Sequence, residues 1–300
     1  MTGTGGETMS RLRGAMTALV TPFRGEDVDW DRLGALVEFQ VSGGIDWLVP
    51  CGTTGESPTL SHAEHEKVLD AVLERSAGRC PVLAGAGSNC TSEAIRLTRH
   101  AKSAGADAVM LVAPYYNRPS PEGLFRHFAA VADAVDVPIV LYNVPFRTGV
   151  AIGNDVVVRL RAAYPHVIGI KHATGSVDGV TELASRCDIA VLSGDDALTL
   201  PLLSLGAVGV ISVVANIVPG WMKSLVDTWR DGAPAIALGW HRRITDLADG
   251  LAVHGPNPIP IKTAMALRGM LTEAFRLPLC PMGAAARSAV AALLGRHELL

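Results

Sequence analysis

The sequence predicts a TIM (β/α)8 barrel, a closed α/β fold of eight parallel strands, continued by a helical C-terminal region. Three observations carry the prediction. From Ala15 onward, short apolar runs recur at intervals of roughly 25 to 35 residues, each followed by a longer amphipathic stretch, which is the rhythm of repeated βα units. Such runs number eight before the rhythm stops, enough for right-handed crossovers to close the sheet on itself. The chain of 300 residues, 49% hydrophobic and only 18% charged, suffices for one barrel-sized core. A doubly wound open sheet is the architectural alternative. It is disfavoured because the first βα turn has neither GxGxxG nor a P-loop lysine.

The expected strands are Ala15–Val20, Ile45–Pro50, Val82–Ala86, Ala108–Ala113, Ile139–Asn143, Val167–Lys171, Ile189–Ser193 and Val208–Val213. Between them the 3.6-residue periodicity predicts helices over Asp31–Ser42, Ser61–Arg75, Thr91–Ala104, Pro121–Ala134, Asn154–Ala163, Asp178–Arg186 and Asp196–Leu205. Several open on an Asp, Ser, Thr or Asn that can accept from the free amides of a first turn. After the eighth strand the chain reads as all helical, through Val218–Arg230, Pro234–Asp249, Ile261–Leu271 and Gly283–Leu294. These boundaries divide the chain into a loose tail at 1–12, a catalytic barrel at 13–233 and a helical region at 234–300.

Composition narrows the partners. The formal net charge is -3, and Lys and Arg are scattered, so no basic footprint for nucleic acid exists and small-molecule partners are expected. The five cysteines, an odd number without CxxC spacing, read as reduced thiols of a cytoplasmic protein. The opening MTGTGGETMS has no apolar signal core, and no run of about 18 apolar residues predicts a membrane span. No His-x-His follows the first strand and the histidines lack ligand spacing, so no metal site is expected.

Function is read from the ends of the expected strands, which converge on one mouth in a barrel. The sixth run, Val167-Ile168-Gly169-Ile170, ends on Lys171. Such a lysine can simply snorkel into water, but burial disfavours an ammonium, and the free amine suits Schiff-base chemistry on a carbonyl. The other strand ends deliver Gly52-Thr53-Thr54-Gly55-Glu56, Pro114-Tyr115-Tyr116-Asn117, Tyr142 to Arg147, and Gly194-Asp195-Asp196. Each has an ordinary explanation as a turn, a half-buried aromatic, a surface cation or a helix cap. Together they supply an amine, proton-moving hydroxyls and a guanidinium that can grip a carboxylate, which describes covalent chemistry on a 2-oxo acid.

These motifs resemble a known family. GTTGES at 52–57, PYYNRPS at 114–120, LYNVPFRTG at 141–149, IGIKHATG at 168–175, LSGDD at 192–196, GVISV at 209–213 and PNPIP at 256–260 are similar to the ordered motifs of the dihydrodipicolinate synthase family of pyruvate-dependent class I aldolases. The resemblance implies a TIM barrel with C-terminal helices, a homotetramer of paired tight dimers, and condensation of pyruvate with aspartate 4-semialdehyde on the route to lysine and diaminopimelate. Residue by residue, it implies that Lys171 forms the imine, that Tyr142 shuttles protons, and that Thr53 and Tyr116 complete a hydroxyl relay. In the family the tyrosine matching Tyr116 enters the partner's site across the dimer interface. The resemblance further implies that Thr54 and the backbone around Thr53 hold the pyruvate carboxylate, that main-chain groups of Gly194 and Ile211 line the pocket, and that Arg147 binds the semialdehyde carboxylate. Members inhibited by lysine bind it at positions matching Ser57, His62, His65, Asn89, Glu93 and Tyr115. Because a protonated imine serves as the electron sink, no cofactor and no metal are expected.

Two residues depart from the family pattern. His172 replaces the acidic residue that usually follows the lysine, and strand alternation points it away from the lumen. Phe146 replaces a small residue before Arg147, in the loop that meets the aldehyde. The competing expectations are an aldolase or lyase acting on sugar-derived 2-oxo acids, and a non-catalytic binding paralogue.

Overall fold

The computed structural model describes residues 11–300, so residues 1–10 of the expected tail lie outside the described residues. Its strands are β1 (Gly14–Ala18), a hairpin of β2 (Phe23–Arg24) and β3 (Asp27–Val28), β4 (Trp47–Val49), β5 (Leu83–Gly85), β6 (Ala108–Val112), β7 (Ile139–Asn143), β8 (Val167–His172), β9 (Ala190–Ser193) and β10 (Gly209–Ser212). All except the hairpin form one eight-stranded sheet in the order β4-β1-β10-β9-β8-β7-β6-β5, with parallel pairing. This is the TIM-barrel-like α/β class that the sequence predicts, and helices Pro234–Ala252, Ile259–Leu267 and Ala284–Arg296 form its helical C-terminal region.

Every one of the eight expected strands is present: Ile139–Asn143 coincides with its expected range, the lysine strand runs one residue further to His172, and the other six are shortened or shifted by a few residues. The β2–β3 hairpin has no counterpart among the expectations, because two-residue strands carry no readable periodicity. The expected helix Asp196–Leu205 is instead a 3-10 turn, Asp196–Leu198, followed by a helix at Thr199–Ser204. The Asp195 carboxylate accepts from the amide of Ala197, while Ser193 and Thr199 both donate to the Asp195 carbonyl, and these bonds tighten the start. The helix expected over Ile261–Leu271 runs from Ile259 to Leu267 and ends just before Gly269, whose φ of +70° suits a C-terminal cap.

The chain divides into two compact units. One comprises Val82–Ile211 with the segment that ends at Gly14; the other comprises Ala15–Pro81 and Ser212–Leu300.

In the first unit, β5 to β9 are almost wholly buried, as strands covered on both faces must be. Two glycines allow the segment ending at Gly14 to approach them. A β-carbon on Gly169 would lie 2.7 Å from Leu12, which is fully buried. A β-carbon on Gly209 would run into the backbone of Gly14 itself.

In the second unit, helix Trp30–Ser42 is held by buried Gln40, which accepts from the Thr17 hydroxyl at 2.6 Å and donates to the Ala215 carbonyl at 2.9 Å. Asn216 likewise pairs with both the amide of Val20 and the carbonyl of Ala18. Buried amides satisfied on both sides fix one register, because leaving either group unpaired is costly.

Gly209→Ala therefore forces backbone apart and is expected to destabilise the protein by about 1–3 kcal/mol or more. Gly220→Ala, at a helical position with open space around it, is expected to be neutral or slightly stabilising. Thermal unfolding of the two variants side by side checks this, and equal midpoints would contradict it.

Candidate active site

In the first unit the site is built on β8. Its sequence VIGIKH is buried at every position, and Lys171 is 5% exposed. The register pairs Lys171 with Tyr142 of β7 on one side and Leu192 of β9 on the other. Register partners share a face of the sheet. The Lys171 Nζ accordingly lies 4.2 Å from the centre of the Tyr142 ring, and that tyrosine is itself 5% exposed. Leu12 fills the space left by Gly169, two residues back on the same face, so the amine rests above a packed apolar layer. Beyond β9, Gly194 donates to the His172 carbonyl at 2.7 Å, and a side chain there would meet Lys171 Cε at 3.0 Å and Ala173 at 2.5 Å. Glycine at 194 is what leaves the lysine its room.

Asn143, one residue after Tyr142, fixes the loop that follows. Buried in the strand end, it donates to the Ile152 carbonyl at 3.1 Å and accepts from the Ile152 amide at 3.0 Å. Within that loop a single helical turn, Pro145–Thr148, carries Phe146 and Arg147. Phe146 is 73% exposed, and the Arg147 guanidinium carbon lies 5.6 Å from its ring centre. The Tyr116 amide donates to the Thr148 carbonyl, and the Arg118 guanidinium to the Gly149 carbonyl, so the 115–118 segment leans on this turn. Tyr116 has a φ of +72° and is 91% exposed. A non-glycine residue in the left-handed region needs outside support, which these bonds provide.

His172 follows Lys171 directly in β8, so strand alternation assigns it to the opposite face. Its Nε2 lies 2.9 Å from both the Ser176 carbonyl and the Thr174 hydroxyl, which pins the loop that leaves the lysine strand. Burial holds this imidazole below the ordinary histidine range.

Among the positions matched to lysine binding, Asn89 donates to the Tyr115 carbonyl at 3.2 Å, and Glu93 accepts a short hydrogen bond from Ser88. Ile211 is fully buried in β10.

In the second unit β4 runs into the Gly52–Ser57 turn. Gly55 and Ser57 donate to the Gly52 carbonyl, and Glu56 donates to the Thr53 carbonyl. The Gly55 carbonyl accepts from Thr21 at 2.7 Å. Thr54 is buried, and its hydroxyl accepts from the Asn257 side chain at 2.9 Å. Cys51, at the root of the turn, has its thiol pushed up to about 12 by burial. Ser57 begins the 3-10 turn Ser57–Thr59, and His62 and His65 lie on the next helix, His62–Ser76.

Sequence reasoning assigned no role to three residues of this unit. Asn257 grips Thr54, and Lys262 forms a buried ion pair with Glu56 at 2.5 Å. For Asn257 the signal was its place in the PNPIP motif, just ahead of Lys262, but nothing in the spacing told that this stretch touches GTTGES. Arg276 is the third. It donates to the carbonyls of Thr59 and Glu26 and takes the Glu64 carboxylate in a two-pronged grip.

No group of three or more His, Cys, Asp or Glu side chains among the described residues could hold a metal ion. No helix among them is long and apolar enough to cross a membrane.

A parallel α/β barrel-type sheet with a buried lysine amine closing one strand, packed on a phenol from the next, defines an enzyme of the class I aldolase kind, which works through a lysine imine. The chain belongs more narrowly to the dihydrodipicolinate synthetase family, whose model matches residues 11–297. A 4-hydroxy-tetrahydrodipicolinate synthase of Pelobacter propionicus is 48% identical over 291 residues, covering 96% of this chain and 100% of that protein. A solved dihydrodipicolinate synthase of Acinetobacter baumannii, chloride-inhibited and complexed with pyruvate, superposes with a TM-score of 0.93 at 41% identity, covering 96% of this chain and 100% of its own. A relative from Cyanidioschyzon merolae with lysine bound also superposes at 0.93, with 37% identity over 97% of this chain and 99% of its own.

The Glu64–Arg276 pair makes a pH prediction. Hydrogen bonds from Arg276, aided by Ser61, hold the Glu64 carboxyl down at about 2 against an ordinary 4.5. A depressed carboxyl stabilises the fold fully above the unfolded value and loses that contribution as pH falls through the folded one. The stability gap between the wild type and Glu64→Gln is therefore expected to be constant above about 4.5 and to shrink towards about 2. Urea midpoints measured across that range check it; a gap that stays constant down to pH ~2.5 would contradict it.

Proposed function

We propose that this enzyme condenses pyruvate with aspartate 4-semialdehyde through an imine on Lys171 to give 4-hydroxy-tetrahydrodipicolinate, a step towards diaminopimelate and lysine. The observation that carries the reading is the buried Lys171 amine packed on Tyr142, in a chain whose relatives carry that enzyme's name. The Lys171 amine adds to the keto carbon of pyruvate and water leaves. The protonated imine then draws electrons from the methyl group, which loses a proton to become an enamine carbon. That carbon attacks the aldehyde. The amine of the semialdehyde portion displaces Lys171 and closes the ring, freeing the lysine.

Each transfer moves a proton, and a phenol, which on its own ionises only near pH ~10, needs hydroxyl partners and a cation to take one at neutral pH. Tyr142 serves as the shuttle, with Thr53 and Tyr116 as relay. Thr54 and the backbone of Thr53 hold the pyruvate carboxylate, main-chain groups of Gly194 and Ile211 line the pocket, and Arg147 takes the semialdehyde carboxylate in bidentate fashion. A Tyr116 that is 91% exposed on a supported, left-handed backbone suits a residue that acts in a neighbouring copy. A tight dimer follows from that reading, and the pairing of two such dimers into a homotetramer is proposed on the family resemblance.

Lysine is the proposed inhibitor, at Ser57, His62, His65, Asn89, Glu93 and Tyr115. The lysine-bound relative favours it. The rival substrate class is sugar-derived 2-oxo acids; Thr54 together with Arg147 favours the semialdehyde, because a lyase for sugar-derived acids would call for hydroxyl-binding groups there.

One coupled assay with pyruvate and a panel of aldehydes tests these statements. Aspartate semialdehyde is expected to be preferred, with Lys171→Ala inactive and Tyr142→Phe slowed in kcat by about 10²–10⁴-fold. Added lysine is expected to slow the wild type but not Glu93→Ala. A sugar aldehyde turned over faster would overturn the substrate, and an active Lys171→Ala the mechanism.

A further inference from the structure

The Glu56–Lys262 pair is the most deeply buried ion pair among the described residues. Both side chains are 0% exposed, and Lys262 Nζ also lies 4.4 Å from the ring centre of Phe23 and 4.9 Å from that of Phe275. Burial pulls the Lys262 amine down from the ordinary lysine range while the facing carboxylate opposes that shift. Such a pair is a poor device for stability, since two well-packed apolar side chains of similar size usually hold a fold as well or better. What an apolar pair cannot supply is a directional hold on one backbone conformation.

The place where the pair acts needs such a hold. Glu56 has a φ of +53°, a left-handed conformation that a side chain disfavours, and its amide closes the turn on Thr53. The same C-terminal segment reaches this turn twice. Asn257 bonds the Thr54 hydroxyl, and Lys262 follows five residues later, in helix Ile259–Leu267, to bond the Glu56 carboxylate. Thr54 is thus held through its own side chain and Glu56 through its charge, on either side of Gly55.

We propose that the Glu56–Lys262 pair is a positioning device for pyruvate: it keeps the Gly52–Glu56 turn in the conformation in which Thr54 and the backbone of Thr53 meet the pyruvate carboxylate. Helix Ile259–Leu267 then sets affinity for the first substrate without touching it. The inference rests on the reading of Thr53 and Thr54 as the carboxylate site.

The test uses the full-length enzyme in steady state with both substrates varied. Single charge removal leaves a buried ion uncompensated, so the first variant is the double replacement E56Q/K262M, which neutralises both partners. The second is E56D, which keeps the charges but shortens the reach by one methylene. Both are expected to fold, and both to raise the KM for pyruvate, the double variant by about tenfold and E56D by several-fold. The KM for the semialdehyde is expected to stay within about twofold, a split that mere loss of stability does not produce.

If a folded variant keeps the wild-type KM for pyruvate, or raises both KM values together, the proposal is wrong. Should the double variant not fold, E56D decides alone, and an unfolded E56D would show the pair to be a stability device instead. A wild type that fails to condense pyruvate with the semialdehyde would sink the carboxylate reading itself, a failure visible before any variant is made.

Discussion

One amine kept out of water at the end of a buried strand constrains everything around it in the first unit. Gly169 must be small so that Leu12 can floor the site, Gly194 must be small so that the lysine stem has room, and Tyr142 must stand in register on the neighbouring strand. Asn143 and His172, each one residue beyond the residue that matters, tie down the loops that leave these two strands. The chemistry is therefore held by strand ends and by short side chain to backbone bonds, which are stiffer than long loops.

The second unit shows the same logic with buried polar groups. Gln40 and Asn216 are each satisfied on both sides, and Thr54 and Glu56 are each gripped by a residue from the C-terminal helical region. Buried polar contacts add little net stability, but they penalise every arrangement in which they are unmade. A turn that must present one threonine in one orientation is well served by such contacts. The C-terminal helical region thus has a role beyond its own packing, because its bonds from Asn257 and Lys262 end on the turn that carries the proposed carboxylate site.

Much of this is readable from the chain. Eight apolar runs correspond to eight strands because a strand buried on both faces needs an unbroken apolar run, and Lys171 stands out because it ends one. Alternation alone places His172 on the far side of β8. The β2–β3 hairpin is not readable, since two-residue strands show no period, and neither is the tight start at Asp195, where side chain bonds to the backbone override helix propensity. The bonds from Asn257 and Lys262 to the GTTGES turn are also hidden. They join residues about two hundred positions apart, and no local pattern encodes which two distant polar residues will meet.

The most direct test of the lysine imine is reductive trapping. The enzyme is incubated with pyruvate and borohydride, digested, and its peptides are mapped by mass spectrometry. One covalent adduct is expected, a reduced pyruvate imine on Lys171, absent when pyruvate is omitted. No adduct, or an adduct carried by another lysine while Lys171 stays unmodified, would contradict it.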